Sequence, residues 1–156
     1  MRQITIRPAL TSEADALSRL CFRSKAHWGY DADFMAKSRA SLTVAPDLIA
    51  SGSVLVAHDG DGALLGMASI APLPLEGRFD LLHLFIEPGV IGTGAGRALF
   101  HAAAEVARAR GGRVLVIQAD PNAVNFYRKM GAVGAGEAPS DAIPGRMLPV
   151  LHYRLG

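Results

Sequence analysis

Cysteine is almost absent from this sequence. Cys21 is the one thiol in 156 residues, so no disulfide can form within the chain and the fold must close on its apolar residues. Its helical spacing from Leu17 and Leu20 marks it as a buried structural thiol rather than a nucleophile. Long apolar runs are missing too: the hydrophobic stretches have strand length and are broken by charge or glycine, well short of the ~20 residues that span a bilayer. No membrane partner is expected. Charge of one sign is scarce, with a net of +2 and the Arg and Lys residues spread along the chain, so nucleic acid is not an expected partner. The five histidines, His27, His58, His83, His101 and His152, fall at no metal-ligand spacing, and no metal is implied. Residues 1–8 alternate in polarity instead of carrying a signal peptide's apolar block, and a cytoplasmic protein is the expectation.

Half of the residues are hydrophobic, enough to build the core of one domain over residues 1–156. Residues 2–7 read as a first strand with Ile4 and Ile6 on one face. Thr11 or Ser12 then caps a helix with Glu13 and Asp15 in its first turn and Leu17, Leu20, Cys21 and Ser24 following at helical spacing. Asp31 caps a second helix running through Phe34, Met35 and Leu42, which Pro46 ends or kinks. Two β-like runs, 53–58 and 63–71, flank Asp59-Gly60-Asp61-Gly62, whose Asp-Gly pairs suit a hairpin turn. Residues 79–86 form a further strand stopped at Glu87-Pro88-Gly89. From Gly94 the period becomes helical, with Leu99, Ala102, Ala103, Val106 and Ala107 in one stripe and Gly111-Gly112 at its end. A short buried strand at 113–118 precedes a helix capped by Asp120, opened by Pro121 and closed by Gly131. One strand near Val133 and a last one over 149–155 complete the order β-α-α-β-β-β-α-β-α-β-β, a mixed α/β fold with helices flanking a central twisted sheet.

The segment Ile91-Gly92-Thr93-Gly94-Ala95-Gly96-Arg97 lies between a strand and a helix. Alternating glycines there let successive backbone N–H groups converge on an anion, since no Cβ blocks the approach and the helix dipole adds positive potential. Glycine-rich turns also serve only to pack a helix tightly on a sheet, and the loop alone leaves both readings open. A P-loop is excluded because Arg97 and Ala98 follow Gly96 where Lys and Ser or Thr are needed. The glycine spacing is also too close for a dinucleotide fingerprint, although Asp120 sits near the end of the next strand, where a ribose-binding acid belongs. A nicotinamide-dependent oxidoreductase therefore stays as a minor rival.

With its neighbours, this loop resembles the acyl-CoA signature Arg/Gln-x-x-Gly-x-Gly/Ala of the GNAT superfamily of N-acetyltransferases. Residues 91–96 match it except at Ile91, where Arg or Gln is usual. A second segment, Asp120-Pro121-Asn122-Ala123-Val124-Asn125-Phe126-Tyr127-Arg128-Lys129-Met130-Gly131, resembles the family's Asn-x-x-Ala-x-x-Phe/Leu-Tyr-x-Lys-x-Gly helix, with Asp120 in place of the usual Asn. The order of elements agrees over nearly the whole chain. Two further segments, Ser24-Lys25-Ala26-His27-Trp28-Gly29-Tyr30 and Ile143-Pro144-Gly145-Arg146-Met147-Leu148-Pro149, resemble a pair found together in a group of small bacterial members.

The resemblance implies a GNAT-like fold and acetyl-CoA as cosubstrate, with a cleft where the fourth and fifth strands splay. Backbone groups of Leu84, Phe85 and Ile86 are then the candidates for the pantetheine and thioester. Gly92, Thr93, Gly94, Ala95, Gly96 and Arg97 are those for the pyrophosphate, with Asp120 and Tyr127 as further contacts. An acceptor amine attacks the thioester directly, without a covalent enzyme intermediate, and Tyr127 protonates the departing thiolate. Asp80 or His83 is the candidate base; their opposite parity puts them on opposite faces, so at most one would face the cleft. His27, Trp28 and Tyr30 would wall the acceptor pocket or, equally, wedge the helix elbow onto the sheet. The acceptor itself, whether small amine, amino acid, antibiotic or protein N-terminus, is not legible, and homodimerisation is common in such small proteins without any segment here marking it. A catalytically silent CoA-binding module of the same fold is the alternative, and the presence of Tyr127 argues against it.

Overall fold

The protein is described here over residues 3–156 of a computed structural model. Seven strands form one sheet in the order β1-β2-β3-β4-β5-β7-β6, built from β1 (Thr5–Pro8), β2 (Val54–His58), β3 (Leu64–Pro72), β4 (Arg78–Ile86), β5 (Val114–Gln118), β6 (Val133–Pro139) and β7 (Met147–Arg154). Every strand pairing is antiparallel except that of β4 with β5. Five helices flank the sheet: α1 (Ala14–Ala26), α2 (Ala32–Ser38), α3 (Pro46–Ala50), α4 (Ala95–Ala109) and α5 (Val124–Lys129).

The alternation of strand side chains divides the core in two. On β2, Leu55 and Ala57 face a cluster built on α4, whereas Val54 and Val56 face one built on α1, α2 and α3. Leu99 and Phe100 of α4 are fully buried in the first cluster, a contribution of about 1.5–3 kcal/mol each. In α1, Leu17, Leu20, Cys21 and Ser24 are all buried, as their spacing predicts; burial pushes the Cys21 thiol pKa up to about 12, so it stays protonated and inert. Among the described residues no helix is long and apolar enough to cross a membrane, and no group of three His, Cys, Asp or Glu side chains comes together as a metal site.

Most local expectations meet their elements. Asp59 closes the β2–β3 hairpin by accepting the Asp61 and Ala63 N–H groups, each at 2.9 Å, and Gly62 takes φ +85°. Asp31 caps α2 by accepting the Phe34 N–H at 2.8 Å. Arg2 lies outside the described residues; the first strand starts at Thr5, leaving Gln3 and Ile4 before it, and runs one residue further than expected, to Pro8.

Four expectations need correction. Thr11 and Ser12 are not caps: they sit inside a 3-10 turn, and Glu13 reaches back to accept the Leu10 N–H at 2.8 Å. The second helix stops at Ser38, before Leu42, and Pro46 starts α3 instead of ending α2, because the missing proline N–H costs nothing at a helix start. The buried stripe of α4 is rotated toward Phe100 and Ala104, leaving Ala102 and Val106 only partly covered. On β4, the register against β3 slips between Ser69 and Ile70, so that Leu82 is an extra, exposed residue. That bulge reverses the parity beyond it. Asp80 and His83 consequently lie on the same face of the sheet.

Candidate active site

The parallel pairing of β4 with β5 ends at Asp80 opposite Val116, while β4 continues to Ile86 without β5 beside it. A slot therefore opens through the middle of the sheet. Its β4 edge is set by the register with β3. The Glu87 N–H donates to the Leu65 carbonyl at 2.8 Å, so Glu87 and Phe85 turn their backbone groups toward β3, while Ile86 and Leu84 turn theirs into the slot. Leu84 and Ile86 therefore hold the backbone positions expected of them. The Phe85 backbone is spent on the ladder, and its side chain instead faces the α1 side.

The glycine loop meets the slot from the α4 side. Gly92 and Gly94 take φ +87° and +95°, and a Cβ on either would meet nothing within 4 Å, so the loop's concave side is open rather than packed on the sheet. The Ala98 N–H makes the first bond of α4, to the Gly94 carbonyl at 3.0 Å; the amides of Ala95, Gly96 and Arg97 in the first turn have no helical partner. Thr93 is a correction to the expected set. Its N–H and its hydroxyl both point to the Val90 carbonyl, at 3.3 and 2.7 Å, leaving no donor for a ligand. Arg97 is exposed, and Ile91 is half exposed without a polar group to offer. At Gly96 three elements converge: a Cβ there would lie 3.4 Å from the Phe126 ring of α5 and 3.6 Å from Ile86 of β4. The loop, the slot and the helix carrying Tyr127 are thus neighbours.

Tyr127 is buried against Phe100 and Phe126, with ring centroids 6.0 and 5.2 Å away. Its hydroxyl makes no hydrogen bond among the described residues, and no fully buried side-chain oxygen there lacks a partner; the hydroxyl therefore keeps a small contact with solvent. Burial, reinforced by the nearby Asp120 carboxylate, raises its pKa and keeps the phenol protonated at neutral pH.

Asp120 caps the turn before α5, accepting the Asn122 N–H at 2.9 Å. Its other carboxylate oxygen accepts from Lys25 Nζ at 2.5 Å and from the Tyr30 hydroxyl at 2.7 Å. Burial opposes its ionisation, but the hydrogen bonds from Lys25, the Asn122 amide and Tyr30 outweigh that cost and hold its pKa below the usual carboxylate range. The expected cosubstrate contact through this side chain is corrected accordingly, since its oxygens are already engaged. Tyr30 in turn accepts from Arg146 at 2.9 Å and stacks on Phe34 at 4.0 Å. The two segments 24–30 and 143–149 are thereby joined through Lys25, Asp120, Tyr30 and Arg146.

On the α1 side of the slot lies a cavity of about 250 Å³ lined by β4 (Asp80, Leu82, Phe85), the end of β5 (Gln118), Lys25, and the loop from Ser140 to Arg146. Neither His27 nor Trp28 lines it; they pack edge to face at 5.8 Å, with Trp28 46% exposed. Tyr30 stands behind its wall, held by Arg146. Asp80 does line it, with a pKa raised by burial and by the Asp141 carboxylate. His83 is buried beneath. Its Nε2 lies 3.0 Å from the Ser41 carbonyl, which can only accept, so Nε2 carries the proton; Nδ1 then accepts from the Ser69 hydroxyl at 2.7 Å. Burial lowers the ring's pKa, against the Ser41 hydrogen bond. With both nitrogens engaged, His83 staples the turn after α2 onto the sheet and has no free lone pair for the cavity. Lys25, Asp141 and Arg146 line the cavity although sequence reasoning did not single them out; for Lys25 and Arg146 the co-occurrence of segments 24–30 and 143–149 was a signal.

The Acetyltransferase (GNAT) domain family model matches residues 31–139, more than half of the chain. The chain belongs to the GNAT acetyltransferases. Solved GNAT structures superpose along nearly its full length. A GCN5-related N-acetyltransferase of Rhodopseudomonas palustris has a TM-score of 0.76 at 24% identity, covering 99% of this chain and 97% of its own. The PaiA N-acetyltransferase of Thermoplasma acidophilum, solved in complex with coenzyme A, has a TM-score of 0.76 at 14% identity, with 97% and 99% covered. YncA of Salmonella typhimurium, solved with its cofactor acetyl-CoA, has a TM-score of 0.72 at 20% identity, with 99% and 95% covered. At these identities the likeness carries the fold alone. No curated protein matches the chain by sequence.

Proposed function

We propose that this GNAT protein, as one domain over residues 1–156, is an acetyl-CoA-dependent N-acetyltransferase that passes the acetyl group directly to a primary amine. The observation that carries this reading is the convergence at Gly96 of an open glycine cradle, an unpaired stretch of β4 and the helix bearing a protonated, unbonded Tyr127. The residues present suit acetyl-CoA: the amides of Ala95, Gly96 and Arg97 face its pyrophosphate, and the backbone groups of Leu84 and Ile86 bond along its pantetheine. Bound acetyl-CoA supplies an acyl carbon whose C–S bond breaks as the amine's N–C bond forms. Asp80 takes the proton that an incoming ammonium must lose, a task its raised pKa suits. Tyr127 delivers its phenolic proton to the leaving sulfur and is reprotonated, through solvent, by the second proton that the acylated nitrogen sheds, while Asp80 releases the first to solvent. The acceptor approaches from the opposite face of the sheet, through the cavity that Asp80 lines. Retention of Tyr127, with its hydroxyl free, favours turnover over a silent CoA-binding module.

Calorimetric titration with acetyl-CoA, CoA and NADH, followed by a screen of amines for released CoA, tests this. Saturable binding of acetyl-CoA without NADH, and amine-dependent CoA release, are expected. A folded protein that binds no acetyl-CoA, or that binds it and releases CoA with no amine, overturns the assignment.

A further inference from the structure

The acceptor cavity is lined by charges of both signs. Asp80 and Asp141 are neighbours in its lining, and neither makes a hydrogen bond or ion pair through its carboxylate among the described residues. Arg146 and Lys25 also line it and are joined to each other through Tyr30 and Asp120. Among the described residues Asp120 is the one carboxylate within 4 Å of these two cations, and it is closer to Lys25, at 2.5 Å, than to Arg146, at 3.8 Å. Two cations therefore share one paired carboxylate.

Arg146 has donors left over. One guanidinium nitrogen donates to the Tyr30 hydroxyl at 2.9 Å, and Cζ lies beside the stacked Tyr30–Phe34 pair, 5.2 and 4.9 Å from the two ring centroids. These contacts hold the guanidinium without using its remaining N–H groups. No fully buried side-chain nitrogen among the described residues lacks a partner, so the unused groups of Arg146, a residue that lines the cavity, are accessible to solvent. A guanidinium held by Tyr30, with free donors and its nearest carboxylate, Asp120 at 3.8 Å, shared with Lys25, is arranged to receive a planar anion in forked geometry. The lining also includes the apolar Leu82, Phe85, Ile143 and Leu148, alongside the neutral Gln118 and three serines, and the volume of about 250 Å³ suits a small molecule.

Resting on the reading of this cavity as the acceptor site, we propose that the acceptor is a small amino carboxylate, its amine directed to Asp80 and its carboxylate held by Arg146. The free acid is then preferred over uncharged or cationic relatives of the same shape, because only the free acid satisfies the open guanidinium.

The test compares matched triplets: leucine, leucinamide and isoamylamine; phenylalanine, phenylalaninamide and phenethylamine; 5-aminovalerate, its amide and butylamine. Each is titrated calorimetrically into the protein saturated with CoA, and each is assayed for CoA release from acetyl-CoA. In at least one triplet the acid should bind roughly tenfold or more tighter than its amide, as expected for a charge-assisted bond. Arg146→Gln should collapse that ratio toward one while leaving acetyl-CoA binding unchanged. A purely structural loss would weaken acid and amide together and keep the ratio, which would overturn the assignment of Arg146. Amides or simple amines binding and reacting as well as the acids in every triplet would overturn the amino-carboxylate proposal while leaving the acetyltransferase reading intact. Acids that bind preferentially but never release CoA would instead count against the transfer reaction, not against the recognition.

Discussion

Replacing Asp120 by Asn removes one negative charge with almost no change of shape. The carboxylate and Lys25 keep only 12% and 14% of their side-chain surface exposed and stand 2.5 Å apart. Stranding one partner of a fully buried pair costs about 3–5 kcal/mol. Here Lys25 retains contact with the Tyr30 ring, 5.1 Å below its ammonium, and both groups touch some solvent, so the cost falls to about 2–3 kcal/mol. For a protein of this length that is a loss of about 4–12 °C in Tm, readable by circular dichroism and by urea denaturation with an unchanged m-value. Adding Lys25→Met should recover part of the loss, since an apolar side chain leaves no stranded charge.

The pH dependence has a definite sign. Because the folded-state pKa of Asp120 is depressed, its stabilisation is complete above the unfolded-state value of about 3.9 and is lost as pH falls through that value toward the folded one. The gap in stability between the parent protein and Asp120→Asn should accordingly be full at pH 6–7 and narrow steadily below about pH 4. A Tm loss under about 2 °C at neutral pH, or a gap that does not narrow in acid, would refute the view that this carboxylate ties α1 to the α5 turn.

Tyr127→Phe should lower kcat by roughly a hundredfold or more with acetyl-CoA affinity nearly unchanged, as it removes only the proton donor; unaltered turnover in a chemistry-limited assay would defeat that role. Gly94→Val should cost about 1–3 kcal/mol of stability from its positive φ and weaken acetyl-CoA binding by filling the open side of the cradle; equal affinity in folded protein would refute the cradle. Asp80→Asn should abolish the acid limb of the kcat/KM profile, a limb that lies above the usual carboxylate range because burial and Asp141 raise the Asp80 pKa. Asp141→Asn should move that limb to lower pH; a limb indifferent to both substitutions would remove Asp80 as the base.

Elements set by neighbouring residues were legible in the sequence. Asp59 closes its hairpin and Asp31 and Asp120 cap their helices, because each acts on backbone groups two to four residues away. The glycines of the cradle were legible for the same reason, as φ is a property of the residue itself. What escaped depends on pairing across the chain. Thr93 is read as a ligand donor until Val90 is seen to take both of its hydrogens, and Asp120 as a cosubstrate contact until Lys25, some 95 positions earlier, is seen to claim it.

The bulge at Leu82 has the largest chemical consequence of these non-local features. Alternation along an uninterrupted β4 places Asp80 and His83 on opposite faces, so that choosing the base is a matter of choosing a face. One extra residue between them puts both on the face that bears the cavity, and orientation no longer discriminates. The distinction passes to hydrogen bonding: His83 spends both nitrogens on Ser69 and Ser41, whereas Asp80 reaches the cavity unpaired beside a second carboxylate. The same bulge directs Leu82 outward at the point where β4 leaves β5. A single register shift thus places the base candidate and the slot at one position on the sheet.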